Sequence, residues 1–257
     1  MIGKSFSIFD FVIPTFAFIH VIAFSASLLY LFRSQRGIFK SKFHFLEFSI
    51  YLFLITHLGA HIAGWLENSI KLSDLINNKY GSNFLGGLTF GSIFVLFFAK
   101  IQKLDFFQLF DNAAMALLIG ISIGRIGCFL TGDGCYGVPT DLPWGMAFPN
   151  GITPTSLKVH PTSLYESLAY ASVFLYYKIR KTDNCPPYGL LGCKIMICYS
   201  IIRFAVEFIR TNTKFMGLSQ AQWISLFILF CASGCMYFLK KDIKSSALIQ
   251  SSEILKG

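Results

Sequence analysis

Several charged residues of this chain stand inside or beside apolar runs, where an ionised group is costly unless it is paired or serves a function. They are three arginines and three acidic residues, namely Arg125, Arg203, Arg210, Asp133, Glu166 and Glu207. A guanidinium group binds phosphate through a planar fork of donors and tolerates partial loss of water better than an ammonium group does. We expect these side chains to converge near the outer leaflet of a membrane, which predicts a binding site for the phosphate of a phospholipid head group.

Tyr199, Arg203 and Glu207 follow one another at intervals of four residues. Residues three or four apart share one face of a helix, so these side chains form one polar stripe. In one interpretation Arg203 and Glu207 neutralise each other and hold a helix bundle together. In the other, the stripe lines a cavity that binds an anionic ligand. The sequence leaves both interpretations open.

A glycine- and proline-rich segment, residues 124–149, follows directly on an apolar run. It contains Arg125 near its beginning and Asp133 further along. Glycine at this density allows the backbone to approach another backbone or a ligand closely. This segment and its continuation to His160 form the longest polar stretch of the chain, and the elements that position the charged residues must be arranged around it.

The composition predicts the class of protein. Hydrophobic residues make up 54% of the 257 residues, and charged residues make up only 14%. Soluble domains contain roughly 25% charged residues, so we predict an integral membrane protein. We expect one transmembrane domain over residues 1–244 and a frayed cytoplasmic tail over residues 245–257. The basic residues form no cluster interleaved with aromatic residues, so no nucleic acid partner is expected.

The predicted fold is an all-α membrane protein with seven transmembrane helices. The apolar stretches cover residues 11–32, 45–65, 84–99, 106–130, 161–177, 188–209 and 219–239. Blocks of Lys and Arg follow the first, third, fifth and seventh stretches. Because basic residues accumulate on the cytoplasmic side, we expect the N-terminus outside and the C-terminus in the cytoplasm. The Gly/Pro-rich segment, about residues 131–160, then lies in the periplasm.

The first apolar stretch also resembles a signal peptide in its position. Its basic residues follow it, however, whereas a signal peptide carries them before its apolar region. We therefore interpret it as a retained helix.

The cysteines and histidines do not indicate a metal site by their spacing. Seven cysteines leave at least one thiol unpaired. Cys128 and Cys135 are able to pair on the outer side, but a Gly-rich loop does not impose disulfide geometry, so we favour free thiols. His57 and His61 share a helix face, and we favour packing and hydrogen bonding over metal binding for them.

Four motifs occur in order between about residues 82 and 226. The first is Gly124-Arg125-Ile126-Gly127 with Gly132-Asp133, and the second is His160-Pro161-Thr162-Ser163-Leu164-Tyr165-Glu166. The third is Tyr199 with Arg203-Phe204, Glu207-Phe208 and Arg210, and the fourth is Leu218-Ser219 with Gln222. Together they resemble bacterial prolipoprotein diacylglyceryl transferases. The seven-span, N-out topology of that family agrees with the charge pattern.

The resemblance implies transfer of the diacylglyceryl group of phosphatidylglycerol to the lipobox cysteine thiol of a prolipoprotein. A thioether forms, glycerol-1-phosphate leaves, and no metal or organic cofactor is needed. The implied partners are phosphatidylglycerol, lipobox peptides and the lipid bilayer of the bacterial inner membrane, and we expect a monomer. The implied catalytic residues are Arg125, Asp133, His160 and Arg203. The implied substrate-binding residues are Arg125, Gly86, Gly87, Glu166, Tyr199, Glu207 and Arg210.

The sequence departs from the family pattern at several positions. The family has His-Gly-Gly in the third span, where this chain has Leu85-Gly86-Gly87, so a candidate base is missing. Cys128 stands where the family has Asn, and Asp133 stands where it has Glu. In an active enzyme, Asp133 or His160 would supply the base. The alternative is a catalytically impaired paralogue that binds phospholipid or a lipoprotein. The retained arginines, Glu166 and Glu207 favour the enzyme.

Overall fold

A computed structural model describes residues 5–8, 11–34, 38–67, 84–180 and 188–254. The helices in chain order are α1 (Thr15–Ser34), α2 (Lys42–Glu67), α3 (Phe84–Gln102), α4 (Phe106–Thr131), α5 (Thr162–Ile179), α6 (Leu190–Glu207) and α7 (Gln220–Ile254). The strands are β1 (Ser5–Ile8), β2 (Phe11–Pro14), β3 (Met146–Phe148), β4 (Thr155–Val159), β5 (Lys214–Phe215) and β6 (Leu218–Ser219). They form three antiparallel pairs, β1–β2, β3–β4 and β5–β6.

The seven helices coincide with the seven apolar stretches, as predicted. Four stretches are long and apolar enough to cross a membrane, at Thr15–Ser34, Lys42–Leu66, Phe106–Thr131 and Gln220–Ser245. A shorter apolar helix covers Gly86–Gln102. The predicted helical class is therefore confirmed, whereas the number of spans and their orientation stay predictions. The sequence analysis missed the three short hairpins.

The first and last helices differ from the prediction. We predicted a helix from residue 11, but residues 11–14 form β2 and α1 begins at Thr15. Phe11, Val12 and Ile13 are aromatic or β-branched, which favours a strand, and α1 starts directly after Pro14. The prediction of a frayed tail from residue 245 is also wrong, because α7 continues to Ile254. No Gly or Pro stands between residues 235 and 254 to end it.

The chain divides into two compact units. The first comprises Met1–Leu31 and Phe110–Gly257, and the second comprises Phe32–Leu109. The core of the first unit consists of residues from α4, α5 and α6, namely Ala114, Met115, Leu118, Tyr170 and Ile195. Because these helices carry the charged residues singled out above, the apolar core is what brings those residues to one place.

The second unit contains the helix pair α2–α3, in which small residues allow close contact. A Cβ atom added to Gly86 would collide with Ala63 and with the Gly59 carbonyl oxygen. One added to Gly87 would lie 3.1 Å from the Thr56 carbonyl oxygen. Such close approach of helix backbones is typical of small-residue contacts in membranes. Gly86 and Gly87 therefore have a packing role in this unit, and their predicted role in substrate binding stays a prediction.

The histidine pair of α2 behaves as the sequence analysis favoured. The Nε2 atoms of His57 and His61 lie 3.1 Å apart, within hydrogen-bond distance. The polar loop predicted between the second and third apolar stretches lies outside the described residues, apart from Glu67, which ends α2.

A buried aspartate in α4 determines where α6 begins. The two carboxylate oxygens of Asp111 accept hydrogen bonds from the backbone N–H groups of Gly189 and Gly192, at 2.8 and 2.6 Å. The first N–H groups of a helix have no partner within the helix, and a negative charge there is favourable. Asp111 thus anchors the start of the helix whose other end carries Arg203 and Glu207.

Candidate active site

Three helices of the first unit bring the predicted charged residues together. Arg125 lies in the last third of α4, and Glu166 lies in the second turn of α5, which begins directly after Pro161. Arg203 and Glu207 lie one turn apart at the end of α6, and Arg210 follows that helix. We call these five residues the arginine cluster.

Glu166 is the centre of the arginine cluster, and its side chain is 0% exposed. Its Oε2 atom lies 2.7 Å from Arg125 Nε and 3.0 Å from Arg210 Nη2. Its Oε1 atom lies 2.8 Å from Arg203 Nη1. One buried carboxylate therefore holds three guanidinium groups from different parts of the chain in one place.

Glu207 is the second carboxylate of the cluster, and it is also buried. Its Oε2 atom lies 3.0 Å from Arg203 Nη1, and its Oε1 atom accepts a hydrogen bond from Asn212 Nδ2. Arg203 and Glu207 therefore form an ion pair, as one of the two interpretations of the polar stripe required. Arg203 nevertheless bonds to Glu166 as well, so its charge is shared between two acids.

The arginine cluster carries an excess of positive charge. Three guanidinium groups face two carboxylates, which leaves one positive charge unbalanced within the cluster. The side chains of Arg203 and Arg210 are only 13% and 6% exposed, so water compensates this charge poorly. An uncompensated charge of this kind is costly in a protein interior. An anion bound beside the cluster would balance it.

Three buried hydrogen-bond donors of the first unit lack a partner within the described part of the chain. They are Arg210 Nε, the Tyr170 hydroxyl and Gln222 Nε2. A buried donor without a hydrogen-bond partner lowers the stability of the folded protein by about 1–3 kcal/mol. Donors of this kind can bind the oxygens of an anionic group without first breaking another bond.

The helices that carry the cluster are bonded directly to one another. Ser122 Oγ of α4 donates to the Ser167 carbonyl oxygen of α5 at 2.9 Å, and Ser167 Oγ donates to the Ser122 carbonyl oxygen at 2.8 Å. Tyr170 of α5 stacks on Tyr199 of α6, with ring centroids 5.5 Å apart. These contacts hold α4, α5 and α6 around Glu166, and they place Tyr199 beside the cluster by packing.

The loop after α4 folds back onto the starts of the next elements. Its turn depends on Gly132 and Gly134, whose φ angles are +56° and +92°, values that non-glycine residues rarely adopt. The Cys135 carbonyl oxygen then accepts hydrogen bonds from Thr162 Oγ1 at 2.6 Å and from Ser163 Oγ at 2.9 Å. The loop is thus attached to the first turn of α5, one turn before Glu166.

Gly137 continues the same loop in a space that admits no side chain. An added Cβ would collide with the Ile209 carbonyl oxygen and lie 2.9 Å from His160 Cβ. Gly137 N–H donates to the His160 carbonyl oxygen at 2.8 Å, and Val138 N–H donates to the Ile209 carbonyl oxygen at 2.9 Å. The loop therefore joins the segment before α5 to the end of α6, next to Arg210.

Asp133 is part of this loop and does not join the arginine cluster as predicted. Its Oδ1 atom accepts the backbone N–H of Cys135 at 2.9 Å, and it makes no ion pair among the described residues. The reason is the tight turn at residues 132–134, which directs the carboxylate back to its own loop. Five of the six predicted charged residues thus converge, and the sixth lies apart.

Cys128 and Cys135 are free thiols, as the sequence analysis favoured. Arg125 Nη1 lies 3.8 Å from Cys135 Sγ, so the thiol borders the arginine cluster. A hydrogen bond from Cys128 lowers the pKa of Cys135 to about 7, and the charges of Arg210 and Arg125 also lower it, against burial and Asp133, which raise it. Cys135 is therefore more acidic than an ordinary cysteine. The sequence analysis did not select it.

His160 lies two residues before the start of α5, and both its ring and its backbone make hydrogen bonds. Its Nδ1 atom is 3.3 Å from the Tyr165 hydroxyl, and its backbone N–H donates to the Val138 carbonyl oxygen at 3.1 Å. Tyr165, Tyr170, Asn212 and Cys135 are contacts that sequence reasoning missed. A signal existed for Tyr170, because it lies four residues after Glu166 and so shares its helix face.

Comparison with known proteins identifies the family of this chain. The family model for prolipoprotein diacylglyceryl transferase matches residues 4–238. The chain belongs to this family. The resemblance stated from the sequence motifs is therefore confirmed. Together with the apolar helices, membership of the prolipoprotein diacylglyceryl transferase family makes the chain a multi-pass membrane protein.

Individual relatives agree with the family assignment. The chain is similar to proteins named phosphatidylglycerol–prolipoprotein diacylglyceryl transferase from several bacteria. The one from Pseudomonas putida is 34% identical over 154 residues, which cover 60% of this chain and 57% of the relative. The one from Prochlorococcus marinus is 34% identical over 68% of this chain and 64% of the relative. The one from Bordetella bronchiseptica is 33% identical over 68% of this chain and 67% of the relative. The match thus spans about six tenths of the length of these curated relatives.

Proposed function

We propose that this protein transfers the diacylglyceryl group of phosphatidylglycerol to the lipobox cysteine of a prolipoprotein. Three guanidinium groups around the buried carboxylate of Glu166, with one unbalanced positive charge, are the observation that carries this proposal. A phosphate ester is the anion that such a cluster suits, because guanidinium donors match phosphate oxygens in geometry and charge. The names of the similar proteins support the same substrates.

In the proposed reaction, the sulfur of the lipobox cysteine attacks the glyceryl carbon that carries the phosphate ester. A carbon–sulfur bond forms and the carbon–oxygen bond to phosphate breaks. Glycerol-1-phosphate leaves with the electron pair, and the thiol proton passes to a base. Negative charge grows on the departing phosphate, so Arg125, Arg203 and Arg210 stabilise the transition state electrostatically. Glu166 acts as the residue that positions their guanidinium groups.

We propose that the base is either Asp133, in the loop after α4, or His160, which precedes α5. A free thiol is mostly protonated at neutral pH, so the reaction needs a proton acceptor. Asp133 and His160 are the candidates, since this chain has Leu85 at the position of the family's His. Tyr199, Glu207 and the two glycines of α3 complete the proposed substrate-binding set.

The proposed location is the bacterial inner membrane, with seven spans, the N-terminus outside and the arginine cluster facing the periplasm. The distribution of Lys and Arg supports this orientation. Phosphatidylglycerol in the outer leaflet would then reach the cluster directly. We also propose a monomer, because the arginine cluster is formed by a single chain.

A reconstituted assay tests this proposal. Purified protein would receive phosphatidylglycerol and a lipobox peptide, and mass spectrometry would detect the diacylglyceryl adduct. We expect an adduct with the wild type and a loss of rate of at least about 100-fold in Arg125→Ala. Arg33→Ala is the matched control, because it removes an arginine from the last turn of α1.

The negative results are also informative. Wild-type-like transfer by Arg125→Ala would overturn the proposed role of the cluster. Absence of an adduct with the wild type, beside an active family member, would support a paralogue that binds lipid or lipoprotein without catalysis.

A further inference from the structure

Cys128, Asp133 and Cys135 form a group that the proposed reaction does not explain. Their ligand atoms, two thiol sulfurs and a carboxylate oxygen, all lie within 4.8 Å of one another. Cys128 is buried, and the other two are partly buried. We infer that these three residues form a binding site for a soft divalent cation of the zinc class.

The three residues lie on both sides of, and within, the turn at Gly132 and Gly134. Cys128 lies in the last turn of α4, and the left-handed backbone at Gly132 and Gly134 returns the chain toward it. The two hydrogen bonds from Thr162 and Ser163 to the Cys135 carbonyl oxygen then hold Cys135 in place. The three ligand atoms, from residues within eight positions of one another, are therefore brought together by this turn, and the contacts with α5 hold it in place.

The ligand types select the class of cation. Thiolate sulfur binds zinc and related soft ions, and two thiolates with one carboxylate form a three-ligand set that leaves a fourth position open. Calcium and magnesium prefer sets composed of oxygen atoms. The inferred site thus fits Zn²⁺, and Co²⁺ or Cd²⁺ can serve as probes for it.

Charges and hydrogen bonds around the group support a bound cation. Two thiolates and a carboxylate carry three negative charges, which a divalent cation would largely neutralise. Arg125 Nη1 points at Cys135 Sγ from 3.8 Å, and the Cys135 N–H bonds to Asp133 Oδ1. Outer-shell donors of this kind orient metal ligands and tune their affinity.

A bound cation would also affect the proposed chemistry. Asp133 is one of two candidate bases, and a carboxylate that ligates a cation no longer accepts a proton. His160 would then be the remaining base. The inferred site does not depend on the proposed transfer, since its test requires neither lipid nor peptide.

The test uses the full chain in detergent, freed of its affinity tag and treated with chelator. Addition of Co²⁺ should produce sulfur-to-cobalt charge-transfer absorption that saturates at one equivalent and is displaced by Zn²⁺. Cys128→Ser and Cys135→Ser should each weaken binding by more than the roughly 10–100-fold typical of an outer-shell change. Cys231→Ser, which alters an exposed cysteine of α7, is the matched control and should bind normally.

A second measurement needs no variant. Zn²⁺ should protect Cys128 and Cys135 of the wild-type protein from alkylation, as read by peptide mass spectrometry, and should leave Cys231 reactive. Absence of the charge-transfer band, or a band that survives in the Cys128→Ser/Cys135→Ser double variant, would overturn the inference. Unchanged alkylation of Cys135 in the presence of Zn²⁺ would overturn it as well.

Discussion

The arginine cluster and the α2–α3 helix pair are stabilised in different ways. In the helix pair, Gly86 and Gly87 allow backbones to approach, and the contact consists of small side chains and carbonyl groups. In the cluster, α4, α5 and α6 meet at Glu166 through ion pairs that contain more positive than negative charge. Close packing of small residues is a sufficient reason for the first contact. Buried charges of unequal number destabilise a fold, so the second contact indicates a function.

Among the substitutions that test this comparison, replacement of Glu166 should lower stability and activity the most. Glu166→Gln removes the negative charge that three arginines share, and it leaves them buried beside one another. We expect a loss of about 3–5 kcal/mol in the free energy of unfolding, the usual cost of breaking a buried pair, and loss of transfer activity. Thermal unfolding in detergent measures the first effect. Glu166→Asp, which retains the charge, should be less destabilised, and equal stabilities would contradict the role of charge.

Replacement of Glu207 should have a smaller effect, because Glu207 pairs with one arginine and with Asn212. Glu207→Gln leaves Arg203 still bonded to Glu166. We expect a loss of about 2 kcal/mol, the typical contribution of a hydrogen bond to a charged group. Comparison of the melting temperatures of the Glu166→Gln and Glu207→Gln variants tests this ranking. A larger loss for Glu207→Gln would show that the second carboxylate, and not the first, is the centre of the cluster.

In the α2–α3 helix pair, the substitution that tests the contact acts by steric hindrance. Gly86→Ala adds a Cβ against Ala63 and the Gly59 carbonyl oxygen, at a cost of roughly 2 kcal/mol, and gains about 1 kcal/mol of helix propensity. We expect a net loss of about 1 kcal/mol. Gly234→Ala in α7 is the matched control, since nothing lies within 4 Å of the added atom, and it should be neutral or stabilising. Equal melting temperatures for the two variants would show that α2 and α3 do not pack this closely.

The smallest expected effect concerns the alkylation of the Cys135 thiol. Because the pKa of Cys135 is lowered to about 7, its thiolate fraction rises through neutral pH, whereas an ordinary cysteine ionises near pH 8.5. In metal-free protein, the alkylation rate of Cys135 should reach half its maximum near pH 7. Peptide mass spectrometry after alkylation at several pH values measures this rate, with Cys135 of the denatured protein as the reference. Identical pH profiles would contradict the influence of Cys128, Arg210 and Arg125 on the thiol.

Much of the helical architecture could be predicted from the sequence. Seven long apolar stretches predicted the seven helices, because a backbone in lipid must satisfy its own hydrogen bonds. The hairpin at residues 5–14 was not predicted, since Phe11, Val12 and Ile13 are as apolar as the helix that follows. The helical tail was also not predicted, because low hydropathy after residue 244 says nothing about helix propensity.

The sequence predicted which residues form most of the candidate site, but it did not predict how they contact one another. Arg125, Arg203, Arg210, Glu166 and Glu207 were selected because ionisable groups are rare in apolar helices. Their pairing was not predictable: Arg203 and Arg210 are 37 and 44 residues from Glu166, and only the packing of α5 against α6 joins them. Asp133 was grouped with the arginines, but the left-handed turn at Gly132 and Gly134 directs it elsewhere.

The sequence by itself determined that this chain forms membrane helices and which chemical groups they carry, because hydropathy, charge and motif order are local properties. It also determined the family. Only the tertiary structure decided that Glu166 is the common partner of three arginines and that Cys128, Asp133 and Cys135 share one small space. The physical reason is that ion pairing and metal ligation depend on distances of a few ångströms. These distances follow from helix packing in the arginine cluster and from the left-handed turn at Gly132 and Gly134 in the group of three ligands.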